Sequence, residues 1–252
     1  MHRLAVLILA VFAAACGPRY DVVIRGGTVY DGSGAAPRRA DVAVQGDSIV
    51  AMGDLGSARG RVEVDATGLA LAPGFVNMLS WANEDLLVDG RSQGDIRQGV
   101  TLEVMGEGES MGPLNDSMKT EMLHNQADLK YQVTWTTLGE YLDHLVQQGV
   151  STNVASFVGA TTVRIHQIGY QDRPPTAEEL VRMRALVRTA MEEGALGVGS
   201  SIIYAPAFYA RTDELVALSE EAGRFGGMYI SHLRSEGNRL LEAVDELIEI
   251  GR

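Results

Sequence analysis

Short hydrophobic runs separated by glycine turns fill residues 20–72. The stretch "YDVVIRGGTVYDGSG" predicts a strand, a turn at Gly26-Gly27 and a second short strand before a Gly/Ser loop. In "ADVAVQGDSIVAMG", hydrophobic and polar residues alternate, and a turn at Gly46-Asp47 leads back through Ile49, which predicts a β-hairpin. We therefore assign residues 16–72 to a small β-sandwich segment.

From Leu71 onward, hydrophobic strands alternate with amphipathic helical segments. The helix in "PPTAEELVRMRALVRTAMEEGA" opens with Thr176 as its N-cap and with Glu179 three residues later, which is a capping box. The segment "RTDELVALSEEAGRFGG" begins with acidic residues and ends on glycines, as helices do. This alternation is typical of a parallel α/β fold. The predicted strands cover residues 71–78, 101–105, 153–158, 196–203 and 228–231.

The number of predicted strands is too small for a closed barrel. A TIM-like (β/α)8 barrel takes about 250 residues, and residues 73–252 hold only about five strands. We therefore expect this segment to be the first part of such a barrel, truncated after about five strands. By itself the chain is expected to have little or no activity, because open strand edges favour association over folding.

The N-terminus is typical of an exported lipoprotein. Arg3 is followed by hydrophobic residues 4–15, a run too short to span a bilayer, and then by Cys16. We expect residues 1–15 to be a signal peptide and Cys16 to carry the lipid that anchors the protein to a membrane of the cell envelope, facing the periplasm or the exterior. Ordinary signal cleavage near Ala15, which would release a secreted protein, is the alternative.

Charge and cysteine content argue against nucleic-acid binding, disulfide bonds and thiolate metal sites. The chain of 252 residues has a formal net charge of −12 and no block of Lys or Arg, so we expect no nucleic-acid partner. Cys16 is the single cysteine. In the mature chain, with Cys16 lipidated, we therefore expect neither an intrachain disulfide nor a thiolate metal site.

Two long stretches resemble one enzyme family. They are "YDVVIRGGTVYDGSGAAPRRADVAVQGDSIVAMGDL" with "VDATGLALAPGF", and the segment from "VRMRALVRTAMEEGALGVGSSIIYAPAFYARTDELVALSEEAGRFGGMYISHLRSEG" to the C-terminus. Both are similar to the N-acyl-D-amino-acid deacylases, or D-aminoacylases, of the amidohydrolase superfamily. The resemblance implies a β-sandwich beside a metal-dependent TIM-like barrel, in which zinc activates water against a linear amide. The implied substrate is a small N-acyl amino acid or a related amide.

The sequence departs from the family at the first barrel strand. There the family carries His-x-His after "PGF", whereas the aligned positions here are Leu79, Ser80 and Trp81. Neither Leu79 nor Trp81 can coordinate a divalent metal. We therefore expect one Zn²⁺ per subunit rather than a two-metal site.

A second ligand position follows "GVT", where the family has a zinc-binding cysteine in a Gly-Asn-Cys-Gly run. Aligned without a gap, that cysteine falls on Gly108, but an alignment anchored on Pro113-Leu114 places it on Glu107. A carboxylate is an established zinc ligand, so we take Glu107 as the candidate. The alternative is that Glu107 is only a solvated acid in a loop.

The resemblance assigns the remaining positions around His232. In "GGMYISHLRSEG", His232 matches the zinc-binding histidine of the family and follows a predicted strand, where barrel enzymes keep their chemistry. Tyr204 matches a tyrosine that lines the substrate pocket, and Arg234 could bind a substrate carboxylate or pair with Glu236. The catalytic residue and a further metal ligand are expected beyond Arg252.

Two other functions remain open from the sequence. The loss of His-x-His favours a non-catalytic lipoprotein that keeps the barrel as a binding scaffold. The motif "GESMG", residues 108–112, fits the G-x-S-x-G pattern of serine hydrolases and would make Ser110 a nucleophile. Pro113 lies where that motif needs a helix, so the serine hydrolase is the weakest alternative.

Overall fold

The computed structural model describes residues 19–252, which separate into two compact units. The first unit ends at Pro73, and the second spans Gly74–Arg252. The expected signal peptide at residues 1–15 and the expected lipidation site Cys16 lie outside the described residues. Within residues 19–252, no helix is both long enough and hydrophobic enough to span a bilayer.

The first unit is built on one five-stranded sheet. Strand β1 lies between β2 and β4, β3 pairs with the other edge of β2, and β5 extends the side of β1 that β4 occupies. Strands β2 and β3 are antiparallel, which confirms the predicted hairpin. The strands are β1 (Arg19–Val29), β2 (Arg38–Gln45), β3 (Ser48–Gly53), β4 (Arg59–Asp65) and β5 (Ala70–Leu71).

Two expectations for this region were wrong. Gly26-Gly27 is not a turn between two strands, because β1 runs straight through both residues. The pairing of β1 with β2 shifts register between Ile24 and Gly27, and Gly26 has φ +64°, so the glycine forms a β-bulge. Leu71 does not begin a barrel strand, since β5 pairs with β1.

The second unit alternates strands with helices, as the hydrophobic pattern predicted. Its strands are β6 (Phe75–Asn77), β7 (Val100–Met105), β8 (Asn153–Ser156), β9 (Val158–Gly159), β10 (Gly197–Ser201) and β11 (Met228–His232). Its helices are α1 (Asp85–Val88), α2 (Gln93–Ile96), α3 (Asp116–Asn125), α4 (Leu138–Gln148), α5 (Ala160–Ile168), α6 (Ala177–Glu192), α7 (Thr212–Gly223) and α8 (Leu240–Gly251), with a 3-10 turn at Ala207–Tyr209.

The strands of this unit form two parallel three-stranded sheets in chain order. One sheet has the order β6-β7-β8, and the other has β9-β10-β11. Only Phe157 separates β8 from β9, so consecutive segments of the chain pass from one sheet to the next. The carboxyl ends of parallel strands lie at one edge, which is where α/β enzymes place their sites. The strands described here do not close into a barrel.

Helices cover the sheets with their hydrophobic faces. The core of the unit includes Tyr141 of α4, Met183 and Val187 of α6, and Leu215 and Leu218 of α7, all of which are fully buried. The capping box predicted for α6 is confirmed. Thr176 accepts a hydrogen bond from the backbone N–H of Glu179, and the Glu179 carboxylate accepts one from the N–H of Thr176.

Candidate metal centre

Glu107 lies in a tight loop that follows β7. It is flanked by Gly106 and Gly108, which have φ values of +92° and +87° that only glycine adopts without strain. The loop also packs closely on β10. A Cβ atom at Gly199 would collide with the carbonyl oxygen of Gly106 and would lie 3.1 Å from the Glu107 Cα. Because the backbones of this loop and β10 touch with no side chain between them, their packing fixes the position of Glu107.

His232 is the last residue of β11, and its ring lies between two carboxylates. Nδ1 is 3.2 Å from Oε2 of Glu107, and Nε2 is 3.1 Å from Oε1 of Glu236. With the proton on Nε2, the ring would donate to Glu236 and leave the Nδ1 lone pair directed toward Glu107. Metal-binding histidines usually have such a carboxylate behind them, which fixes the tautomer. Glu236 was not recognised from the sequence as a partner of His232, although its i, i+4 spacing from His232 was a usable signal.

The geometry of Glu107 and His232 fits two positions of a zinc coordination sphere. Two ligands bound tetrahedrally at about 2.0–2.2 Å lie about 3.3–3.6 Å apart, slightly more than the observed 3.2 Å. A catalytic zinc site takes three protein ligands. Among residues 19–252, no group of three His, Cys, Asp or Glu side chains is placed to hold a metal ion. By themselves, the two side chains are too few to make a complete zinc site.

Tyr204 lies beside this pair. Its ring centroid is 5.7 Å from that of His232, at an interplanar angle of 46°. Tyr204 and Glu107 line the same cavity of about 230 Å³, together with Ser201, Thr161 and Trp81. The side chain of Tyr204 is 59% exposed, so it is available to a bound molecule.

Arg234 has a different environment from the one expected. Its guanidinium forms two hydrogen bonds to the Glu246 carboxylate and one each to the carbonyl oxygens of Phe208 and Ala210. Burial alone would raise the pKa of Glu246, but the hydrogen bonds from Arg234 lower it overall. Four of the five N–H donors of Arg234 are engaged, so a bidentate bond to a substrate carboxylate is not available. The partner of Arg234 is also not Glu236.

In the segment that replaces His-x-His, the middle side chain is buried and the two outer side chains are exposed. Ser80 is buried, and its hydroxyl donates to the carboxylate of Glu103 at 2.7 Å. Leu79 and Trp81, which occupy the two histidine positions, are 43% and 59% exposed. Trp81 forms part of the wall of the cavity that contains Glu107. One exposed aromatic side chain, that of Trp81, thus lines the cavity where the resemblance places a metal ligand.

Glu103 was missed in the sequence. It is a fully buried carboxylate in β7 that accepts hydrogen bonds from the hydroxyls of Ser80, Ser92 and Thr152 at 2.7, 2.6 and 2.8 Å. These bonds tie the segment after β6 to the starts of α2 and β8. The only signal was a single acidic residue inside the hydrophobic strand "VTLEVM".

Ser110 does not have the geometry of a nucleophile. Its side chain is buried, its hydroxyl donates to the carbonyl oxygen of Gly112 at 2.6 Å, and it accepts from the N–H of Gly159 at 2.9 Å. Among the described residues, its hydroxyl forms no hydrogen bond with a histidine. The expectation of a serine hydrolase through Ser110 is contradicted by this arrangement, because an activated serine needs an adjacent base.

Comparison with known proteins places the chain beside one group of enzymes. No protein-family model matches it. It is 35% identical over 237 residues to a D-aminoacylase of Alcaligenes xylosoxydans xylosoxydans, an alignment that covers 92% of this chain and 48% of the relative. The chain thus spans about half the length of the curated relatives it matches.

Solved structures support the same relationship. One D-aminoacylase structure has a TM-score of 0.82 and is 33% identical over 92% of this chain and 49% of that one. It is described in terms of a binuclear metal center, with one-metal activation and second-metal attenuation. The N-acyl-D-glutamate deacylase of Bordetella bronchiseptica, complexed with zinc and a phosphonate inhibitor, has a TM-score of 0.82 and 31% identity over 93% and 49%. Over 92–93% of its length, the chain is thus homologous to N-acyl-D-amino-acid deacylases.

Proposed function

We propose that the protein is a zinc-dependent hydrolase of linear amide bonds in N-acyl amino acids. The observation that carries the proposal is the 3.2 Å approach of the Glu107 carboxylate to the His232 imidazole at the carboxyl ends of β7 and β11. Homology to deacylases whose structures contain metals supports it. We further propose that the second unit is the first part of a (β/α)8 barrel, since its parallel strands follow one another in chain order.

Glu107 and His232 would hold the metal in this proposal. Zinc at such a site lowers the pKa of bound water to about 7 and polarises a carbonyl group. Glu236 would keep the His232 ring in the tautomer whose Nδ1 is free to bind. Tyr204 would contact the substrate from the wall of the cavity it shares with Glu107. The resemblance implies a further histidine as the third ligand, and residues 19–252 place no third ligand beside this pair.

We propose one zinc ion per subunit. Leu79 and Trp81 supply no ligand atoms at the positions of the family's first metal pair, and Glu107 and His232 converge on one point only. The D-aminoacylase structure described in terms of one-metal activation and second-metal attenuation supports the chemical sufficiency of a single ion.

Metal analysis and chelation test the proposal. The purified complete protein that contains these residues is expected to bind about one zinc per subunit and to hydrolyse N-acetyl-D-amino acids. A chelator should abolish the hydrolysis, and added Zn²⁺ should restore it, because both candidate ligands act through the metal. Absence of zinc from the wild-type protein would contradict the proposal.

A binding scaffold without catalysis is the second candidate. It is favoured by Leu79 and Trp81, which supply no ligand atoms at the positions where the family has histidines. The same experiment separates the two candidates, since a scaffold binds an N-acyl amino acid without releasing the acyl group. Turnover that a chelator abolishes would exclude the scaffold.

We also propose that the protein is exported and anchored to a membrane of the cell envelope through lipid on Cys16. Support comes from Arg3 and the hydrophobic run 4–15 that precedes this cysteine. Cells that express the protein with labelled palmitate should yield a labelled band in the membrane fraction, and Cys16→Ala should remove both the label and the membrane association. Retention of the wild-type protein in the soluble fraction would contradict the anchor.

A further inference from the structure

A second cavity, of about 410 Å³, lies between the loop that follows β6 and helices α3 and α5. Its volume is in the range of pockets that bind small molecules. Hydrophobic side chains form much of its wall, and several of them are methionines, which adapt easily to a flexible ligand. These side chains are Met111, Leu114, Met118, Met122 and Ile165.

This cavity adjoins the candidate metal centre. Trp81 and Glu109 line both the 410 Å³ cavity and the 230 Å³ cavity that contains Glu107 and Tyr204. The two cavities are therefore neighbours that share part of a wall. A molecule whose amide lies near Glu107 could extend past Trp81 into the larger cavity.

The larger cavity is strongly acidic. Four of its lining residues carry carboxylates, namely Glu84, Asp85, Glu109 and Glu121, and no Lys, Arg or His is among them. Tyr131 donates a hydrogen bond to Glu84 at 2.7 Å, and Tyr170 donates one to Glu121 at 2.8 Å. These bonds hold two of the carboxylates in place.

Glu109 lacks a compensating partner. Within residues 19–252, no side chain or backbone N–H donates a hydrogen bond to its carboxylate, and no basic side chain forms an ion pair with it. Glu109 and Glu121 line the same cavity. A cation placed between these two acids would relieve their mutual repulsion.

We propose that this cavity receives the side chain of the substrate amino acid and selects an aliphatic chain ending in a cation over one ending in a carboxylate. That the bound chain belongs to a substrate amino acid rests on the proposed function. The preference for a cation is a property of the cavity alone. It is opposite in charge to the side chain named for the N-acyl-D-glutamate deacylase.

The shape and chemistry of the wall suit a chain such as that of lysine. The methylene groups would pack against Met118, Met122 and Ile165, which removes hydrophobic surface from water. The ammonium group would lie near Glu109 and Glu121, and the exposed rings of Trp81 and Tyr170 offer π faces that attract cations. A carboxylate at the same place would face four like charges.

Matched six-carbon probes test the proposal. n-Hexylamine, 1-hexanol and hexanoate each have six carbons, and their terminal groups are positive, neutral and negative at pH 7. With chelator present, we expect n-hexylamine to bind about tenfold more tightly than hexanoate, with hexanol between them, because the end-group charge alone changes sign. Methylamine, which lacks the chain, should bind more weakly than n-hexylamine. Fluorescence of Trp81, which lines both cavities, reports binding. Trp81→Phe should remove the signal, since Trp135 is buried and lines neither cavity.

Charge-neutral variants decide whether the carboxylates cause the preference. The double variant Glu109→Gln/Glu121→Gln should bring the affinities of n-hexylamine and hexanoate within about threefold of each other. The matched control Glu242→Gln, at an exposed position of α8 that lines neither cavity, should leave the preference unchanged. Hexanoate binding as tight as n-hexylamine, or a preference that survives the double variant, would overturn the inference. Because the titrations need no metal, a failure of zinc binding would overturn only the proposed function.

Discussion

Replacement of His232 by alanine is expected to lower zinc affinity and amide hydrolysis of the complete protein by at least about 100-fold. The reason is that His232 is one of two candidate ligands, and loss of a partner that merely orients a ligand already costs about 10–100-fold. Glu107→Gln should have a similar effect, because it removes the charge while keeping the size of the side chain. Zinc titration and initial rates at saturating Zn²⁺ measure both effects.

A graded series makes this prediction specific. Glu236→Gln should cost about 10–100-fold, less than His232→Ala, since Glu236 only holds the ring. His124→Ala is the matched control, because His124 is an exposed histidine of α3 that does not line the cavity containing Glu107. If His232→Ala binds zinc and turns over substrate as the wild type does, the ligand assignment is wrong.

The order of strands and helices could be predicted because its signals are local. The capping box of Thr176 and Glu179 and the turn at Gly46 depend on residues a few positions apart. The pairing of Glu107 with His232, which are 125 residues apart in the sequence, was reached only through the family resemblance. Neither periodicity nor spacing carries information about contacts over such a distance.

The sequence did not predict which charged residues are buried. Glu103, Arg164 and Glu214 are each at most 2% exposed, although charged residues are almost never fully buried unless they are paired. Their partners are brought by other elements, so nothing beside them in the sequence marks them. Arg234 failed for a related reason, since its partner Glu246 lies on α8 and was not considered.

Removal of Glu214 is expected to destabilise the protein by about 3–5 kcal/mol. Its carboxylate forms a 2.6 Å ion pair with Arg164, which joins α7 to α5, and the two side chains are only 2% and 1% exposed. In Glu214→Ala, Arg164 would remain buried without a counter-ion. The guanidinium cannot lose its proton, so the full cost of a buried unpaired charge remains. Urea unfolding followed by far-UV circular dichroism measures the change.

Removal of Arg164 and removal of Glu214 should lower the free energy of unfolding by different amounts. Burial raises the pKa of Glu214, and the opposing pull of Arg164 is smaller. In Arg164→Met, Glu214 can therefore take up a proton and become neutral. We expect this variant to be less destabilised than Glu214→Ala. The difference between the two variants should shrink only if, in Glu214→Ala, Arg164 donates to another acceptor.

The double variant Arg164→Met/Glu214→Leu should be more stable than Glu214→Ala, because desolvation of the two charges outweighs much of their attraction. Arg164 also donates to the carbonyl oxygens of Gln171 and Arg173, which lie near the surface and can bond to water instead. Asp89→Asn, which removes an exposed ion pair with Arg91, is the control and should leave the unfolding midpoint nearly unchanged. A double variant as unstable as Glu214→Ala would show that the ion pair itself, rather than the absence of an unpaired charge, stabilises the contact between α5 and α7.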